Sequence, residues 1–255
     1  MKIICWLRDW WKRRKNGYIR SPFDFRDHRF KPSGTPLKKR VDLRKYFLPA
    51  RDQKYSQACT AFAVTALLEY RMRRIRKTPK GQYYLSVLYN WYYGRELHGW
   101  EDENKGVWLR NTFKALYAEG VPPEDKMPFN AAYYKQQPDY DSEAFGELFK
   151  KYLSNTHYTL LRALDVKESL NKGNPVVCGI KLNNSFYGNK DGIIKDISAS
   201  NNSHAIVILG YDDNTECYIA RNSWNTSWGD HGDCYIPYAY FEKNTHEIRV
   251  IEEND

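Results

Sequence analysis

Between residues 58 and 75 the chain has no Gly or Pro and is rich in Ala, Leu, Glu, Arg and Met. Phe62, Leu67, Leu68, Met72 and Ile75 fall on or near one face of a 3.6-residue period, which predicts a helix over 58–75. Helical patterns recur over 86–98, over 109–119, where Gly120 and Pro122-Pro123 close the run, and over 144–153. After about residue 155 the grammar changes. Residues 175–182, 204–209, 216–221 and 233–236 are short runs rich in Val, Ile and Tyr, separated by Asn, Asp, Gly and Ser, and they read as strands. Helices first and strands later predict an α+β fold, with a helical lobe over about 41–150 and a β-rich lobe over about 151–255.

Residues 1–40 follow neither pattern. Residues 1–15 place Trp6, Trp10 and several Lys and Arg at helical spacing, as in a short amphipathic helix. Residues 18–40 show no period, and Pro22, Pro32 and Pro36 favour extended chain. Charge separates this segment from the rest. It holds 13 Lys and Arg against three Asp, whereas the other 215 residues hold 27 basic and 28 acidic side chains. The net charge of +9 therefore belongs to the leader, and a nucleic-acid partner is not expected for the body. Three roles stay open for residues 1–40: a belt packed on the body, a short propiece, or an anchor in which Trp6, Trp10 and Trp11 meet an anionic membrane beside Lys12–Lys15.

The five cysteines, at 5, 59, 178, 217 and 234, are an odd number without the spacing of a metal site. Free thiols are expected, with Cys178, Cys217 and Cys234 as small buried apolar groups. The apolar run Ile3–Leu7 is too short for a secretory signal and Arg8 and Asp9 follow it, so a cytoplasmic location is expected. No stretch approaches the roughly 20 apolar residues that span a bilayer. There is no paired-carboxylate cluster, no metal-ligand cluster and no phosphate-cradling Gly-Lys-Ser/Thr loop, so neither metal nor cofactor is expected.

Three short stretches carry chemistry. Cys59 stands where the polar loop 51–58 gives way to the first helix, and a helix N-terminus favours thiolate over thiol. His204 opens the strand Asn202-Ser-His-Ala-Ile-Val-Ile-Leu-Gly-Tyr211, and Asn222 opens Asn-Ser-Trp-Asn-Thr-Ser-Trp-Gly-Asp-His-Gly232. Each alone could be structural. Together, with Gln53 six residues before Cys59 and His204 145 residues after it, they resemble the papain family of cysteine peptidases. The resemblance runs from about Val41 to Ile251, and includes Gly106-Val-Trp-Leu-Arg110, Glu119-Gly-Val-Pro122 and Met127-Pro-Phe129.

The resemblance implies a two-lobed fold with the site in the cleft between lobes, and a polypeptide substrate. It implies Cys59 as nucleophile, ion-paired with His204, and Asn222 orienting the imidazole. Trp224 would cover that bond and count among the substrate-binding residues with Gly106, Gly179 and Ala205. The Gln53 side-chain amide and the Cys59 backbone N–H would hold an oxyanion. Gly179 and Ala205 would wall a roomy specificity pocket, and Gly106 would pair with substrate backbone. In three places the chain departs from the family pattern, one of them Asn104-Lys-Gly106, which keeps only Gly106 where many members have a double glycine. Ser56 stands where relatives carry a disulfide cysteine, and Gln57 where they carry a glycine. Two rival readings are a cell-wall peptide amidase and a non-catalytic module on the same fold. The sequence does not specify an oligomeric state.

Overall fold

The computed structural model describes residues 17–74, 83–138, 153 and 156–253. The amphipathic helix and membrane contact expected for 1–15, Cys5, Ile75, and nearly all of the helix expected over 144–153 lie outside these residues.

Three helices build one side of the molecule: α1 (Cys59–Arg74), α2 (Val87–Glu96) and α3 (Leu109–Glu119). Their limits follow local chemistry. Ser86 caps α2 by accepting from the Tyr89 N–H at 3.2 Å. Gly120 ends α3 at φ +68°, a conformation that glycine reaches without a Cβ penalty.

The other side is a seven-stranded antiparallel sheet. Its strands are β2 (Arg40–Asp42), β4 (Thr156–Leu160), β5 (Val176–Lys181), β6 (Ser203–Asp212), β7 (Cys217–Arg221), β8 (Asp233–Pro237) and β9 (Thr245–Glu253). The order is β4-β9-β5-β6-β7-β8, with β2 on β6. Short helices α4 (Val166–Asn171) and α5 (Tyr238–Asn244) pack on it. All four expected strands are present. The sequence pattern missed β2, β4, β9, α4 and α5. Strand β2, inside the range assigned to the helical lobe, joins the sheet through Val41 opposite Tyr211.

Alternation along the strands divides two cores. Val176, Cys178, Ile180, Ile206, Ile208, Ile248 and Val250 face a core within the β-rich side. Val177, Ala205, Val207, Leu209 and Ile251 face the other way and pack with Cys59, Ala63, Val64, Leu67 and Leu68 of α1. The sheet's second face is thus the seam against α1.

The described part of the N-terminal segment lies along this seam. Strand β1 (Tyr18–Ile19) pairs in parallel with β3 (Val107–Trp108). Beyond it, Phe30 N–H donates to Leu160 O at 3.1 Å, Leu160 N–H donates to His28 O at 2.8 Å, and the chain reaches the sheet at β2.

Candidate active site

Cys59 is the first residue of α1 and is completely buried. Its thiol sits against the first turn of α1 and the start of β6, with backbone hydrogen bonds from Ala205 and Thr60. Those bonds favour the thiolate, but burial outweighs them and pushes the thiol up to about 12. An ion pair with a lowered thiol pKa was expected from sequence; burial of the thiol acts in the opposite direction. Among the described residues Gly17 lies against it: an added Cβ there would lie 2.9 Å from Cys59 Sγ.

His204 is 4% exposed at the head of β6, and its Nε2 lies 2.8 Å from Asn222 Oδ1. Asn222 Oδ1 also accepts the Ser223 N–H at 2.7 Å, which identifies it as the acceptor and makes His204 Nε2 the donor. Trp224, 2% exposed, stacks obliquely on the imidazole with centroids 5.0 Å apart and is itself flanked by Tyr187 and Trp228. Asn222 is fixed from behind, its N–H donating to Gly232 O at 2.9 Å. Gly232 has φ +91°, and a Cβ there would fall 2.2 Å from Ala50 Cβ, so this turn requires glycine.

Gln53 joins both arms of the site. Its N–H donates to Ser223 O at 2.9 Å, and its Oε1 accepts from Ser223 Oγ at 2.6 Å. Its Nε2 donates to Ser56 O at 2.9 Å, which fixes the amide orientation because a carbonyl can only accept. One N–H of that amide is thus engaged. Ser56, at the family's disulfide position, uses its hydroxyl to bond Gln53 O at 2.7 Å. Gln57, at the glycine position, ties to the facing loop through its N–H and Asn104 Oδ1 at 3.0 Å. Cys59, Cys178, Cys217 and Cys234 are free thiols, and Cys217 is half-buried where full burial was expected.

Across β6, β5 and β9 the residues Ala205, Gly179 and Glu247 are direct neighbours. They form a row from the nucleophile to a carboxylate. The pocket that Gly179 and Ala205 were expected to leave open is filled: a Cβ at Gly179 would lie 2.0 Å from Tyr18 Cζ. The Tyr18 hydroxyl donates to Glu247 Oε2 at 3.0 Å, and the Ser21 N–H reaches the same oxygen at 3.0 Å. Glu247 Oε1 accepts from Arg249 Nε at 2.6 Å. Gly106 is buried just before β3, and its neighbours Val107 and Trp108 pair with Tyr18 and Ile19. Ser223 and Glu247 were not singled out from sequence. Glu247 and Arg249, charges alternating with Ile248 and Val250, are the signal that could have found Glu247.

Asp27 fastens the segment to both lobes. Arg110 of α3 reaches its carboxylate at 3.1 and 2.7 Å, and Arg249 of β9 at 3.1 and 3.0 Å. Burial alone would raise the Asp27 carboxyl, but these two guanidinium forks outweigh it and hold the group below the usual carboxylate range. No group of three or more potential metal ligands occurs among the described residues.

Known proteins share this fold. Xylellain, a cysteine protease from Xylella fastidiosa, superposes with TM-score 0.80 at 25% identity, covering 95% of this chain and 97% of its own. A procathepsin L2 from Tenebrio molitor shares the fold with TM-score 0.76 at 18% identity, covering 95% and 79%. Among sequences, a peptidase C1-like protein of Acanthamoeba polyphaga mimivirus is 27% identical over 83% of this chain and 74% of its own length. Cysteine proteinase 2 of Entamoeba histolytica is 28% identical over 75% of this chain and 61% of its own length, so the match spans under two thirds of that relative. The model of the papain family of cysteine proteases matches residues 37–252, and the chain belongs to that family.

Proposed function

We propose that the chain is a cysteine endopeptidase, with Cys59 as nucleophile, His204 as general acid and base, Asn222 as its orienting partner and Gln53 in the oxyanion hole. The observation that carries this reading is the His204 Nε2–Asn222 Oδ1 bond of 2.8 Å, beside a cysteine that heads a helix and touches the His204–Ala205 backbone. His204 takes the thiol proton, and the thiolate attacks a peptide carbonyl. The oxyanion is held by the Gln53 amide N–H and the Cys59 backbone N–H. His204 then protonates the leaving amine, giving a thioester that water hydrolyses with His204 as base. The peptidase is favoured over a cell-wall amidase or a binding module because Gln53 and Ser223 are built together around this geometry.

The contact of Gly17 with Cys59 Sγ favours a second element of the reading: residues 17–30 act as a propiece that keeps the intact chain closed. Casein cleavage, with epoxysuccinyl labelling of Cys59, tests both. Turnover abolished in Cys59→Ala and increased in Asp27→Ala is expected. Undiminished casein cleavage by Cys59→Ala removes the nucleophile assignment, and unchanged turnover in Asp27→Ala removes the propiece.

A further inference from the structure

We infer that the pole of the molecule at the far end of α1 from the nucleophile, built from Leu37, Lys38, Lys39, Lys45 and Arg74, docks on an anionic phospholipid surface. Three elements meet there. Arg74 ends α1 and lies on the turn after α4, donating to Gly173 O at 2.7 Å and to Lys172 O at 3.2 Å. Arg73 Nε donates to Tyr46 O at 3.1 Å, which sets the exposed Lys45 beside the same turn of α1. Asn171 of α4 fixes the approach to β2. Its Nδ2 donates to Pro36 O and its Oδ1 accepts the Lys38 N–H, both at 3.3 Å. None of these contacts involves residues 17–30, so the pole does not depend on that segment staying docked.

The positive charge here is not neutralised in place. The Arg74 bonds all end on uncharged oxygens, the third on Asn174 Oδ1 at 3.4 Å. The carboxylates around Lys38 and Lys39 are already taken: Arg40 reaches Asp212 at 3.4 Å, Lys167 reaches Asp213 at 2.7 Å and Lys172 reaches Glu168 at 3.0 Å. Leu37 decides the kind of anion. It is 48% exposed, and Asn171 holds the backbone on both sides of it. A leucine held outward beside basic side chains gains little against a sugar-phosphate chain. At the boundary of headgroups and acyl chains it is buried, while the neighbouring amines stay among the phosphates. Cys59 opens α1 and Arg74 ends it, so at 1.5 Å per residue they stand roughly 22 Å apart along the axis. Docking at this pole turns the nucleophile end of α1 toward solution, where a polypeptide can reach it.

Co-sedimentation of the full-length protein with vesicles tests this. Expected is binding to phosphatidylcholine vesicles that carry about 30% phosphatidylserine, none to phosphatidylcholine alone, and release at about 1 M salt, where charges are screened within about 3 Å. Lys38→Gln/Lys39→Gln should weaken binding about 25-fold, at about fivefold per charge. Leu37→Ser should weaken it about fivefold. Lys126→Gln/Lys190→Gln removes the same charge at exposed sites elsewhere and should change binding less than about twofold. Trp6, Trp10 and Trp11 are present in every sample, so binding carried by residues 1–15 alone would be unmoved by all three variants, and that result overturns the assignment. So does failure to bind the anionic vesicles, equal loss in the two lysine pairs, or undiminished binding in Leu37→Ser. A DNA duplex bound more tightly than the vesicles at equal total phosphate, and lost in Lys38→Gln/Lys39→Gln, would give the pole to nucleic acid instead.

Discussion

Ser223 has no reacting atom, yet it holds the Gln53 amide from one side while Ser56 O holds it from the other. Ser223→Ala removes one hydrogen bond from a group that must point at a developing charge. We expect kcat to fall about tenfold with little change in KM, read from steady-state kinetics on an unblocked chain. Gln53→Ala removes the donor itself and should cost about 10²–10³ in kcat. A change confined to KM in either variant would mean that the amide only supports the loop. At Cys59 the covered state makes its own prediction. With the thiol pushed up to about 12, the alkylation rate of the intact chain should rise steadily from pH 7 to 10 without a plateau. A plateau near neutrality in the intact chain would show that the thiolate forms under the cover.

At the scale of elements, the Arg95 guanidinium organises the loop that faces the nucleophile. It lies over the Trp91 ring at 4.2 Å and donates to Glu101 O at 2.7 Å, to Glu103 O at 2.6 Å and to Tyr134 O. Arg95→Met would strand three carbonyls, at roughly 1 kcal/mol each, and should lower Tm by about 6–12 °C in a thermal melt. An unchanged Tm would mean that water replaces the guanidinium. The segment's fastening has a pH sign. Asp27 titrates below the ordinary carboxylate value when docked, so its contribution is complete above about pH 4 and is lost as pH falls through the docked value. Amide exchange over residues 18–30, corrected for intrinsic rates, should therefore accelerate below about pH 4; equal protection at pH 5 and pH 2.5 would contradict this.

Helix α1 and strands β5 to β8 were legible because each carries one period without interruption. Strand β9 was not, because Glu247 and Arg249 put charge on the face that Ile251 shares with the seam core. Cys59, His204, Asn222 and Gln53 were legible as a spaced set. Tyr18 on Gly179 was not, since nothing local to residue 18 records a glycine floor so far along the chain.

The described molecule has two cores back to back on one sheet and a third among α1, α2 and β3, with a strap drawn across the seam and fixed at successive points. Tyr18 and Ser21 hold Glu247, Asp27 holds Arg110 and Arg249, His28 and Phe30 hold Leu160, and Ser33 holds Glu168 through N–H and Oγ at 2.6 and 2.8 Å. Lys38 O then takes the Tyr211 hydroxyl at 2.7 Å before β2 enters the sheet. Fastenings in series do not share a load; they peel. The end nearest Cys59 can lift while the rest stays in place, and each lifted point slows re-closure of the one before it. Opening should accordingly show a lag in progress curves that shortens in Asp27→Asn and is independent of enzyme concentration. A lag that shortens as enzyme concentration rises would instead mean that one copy opens another.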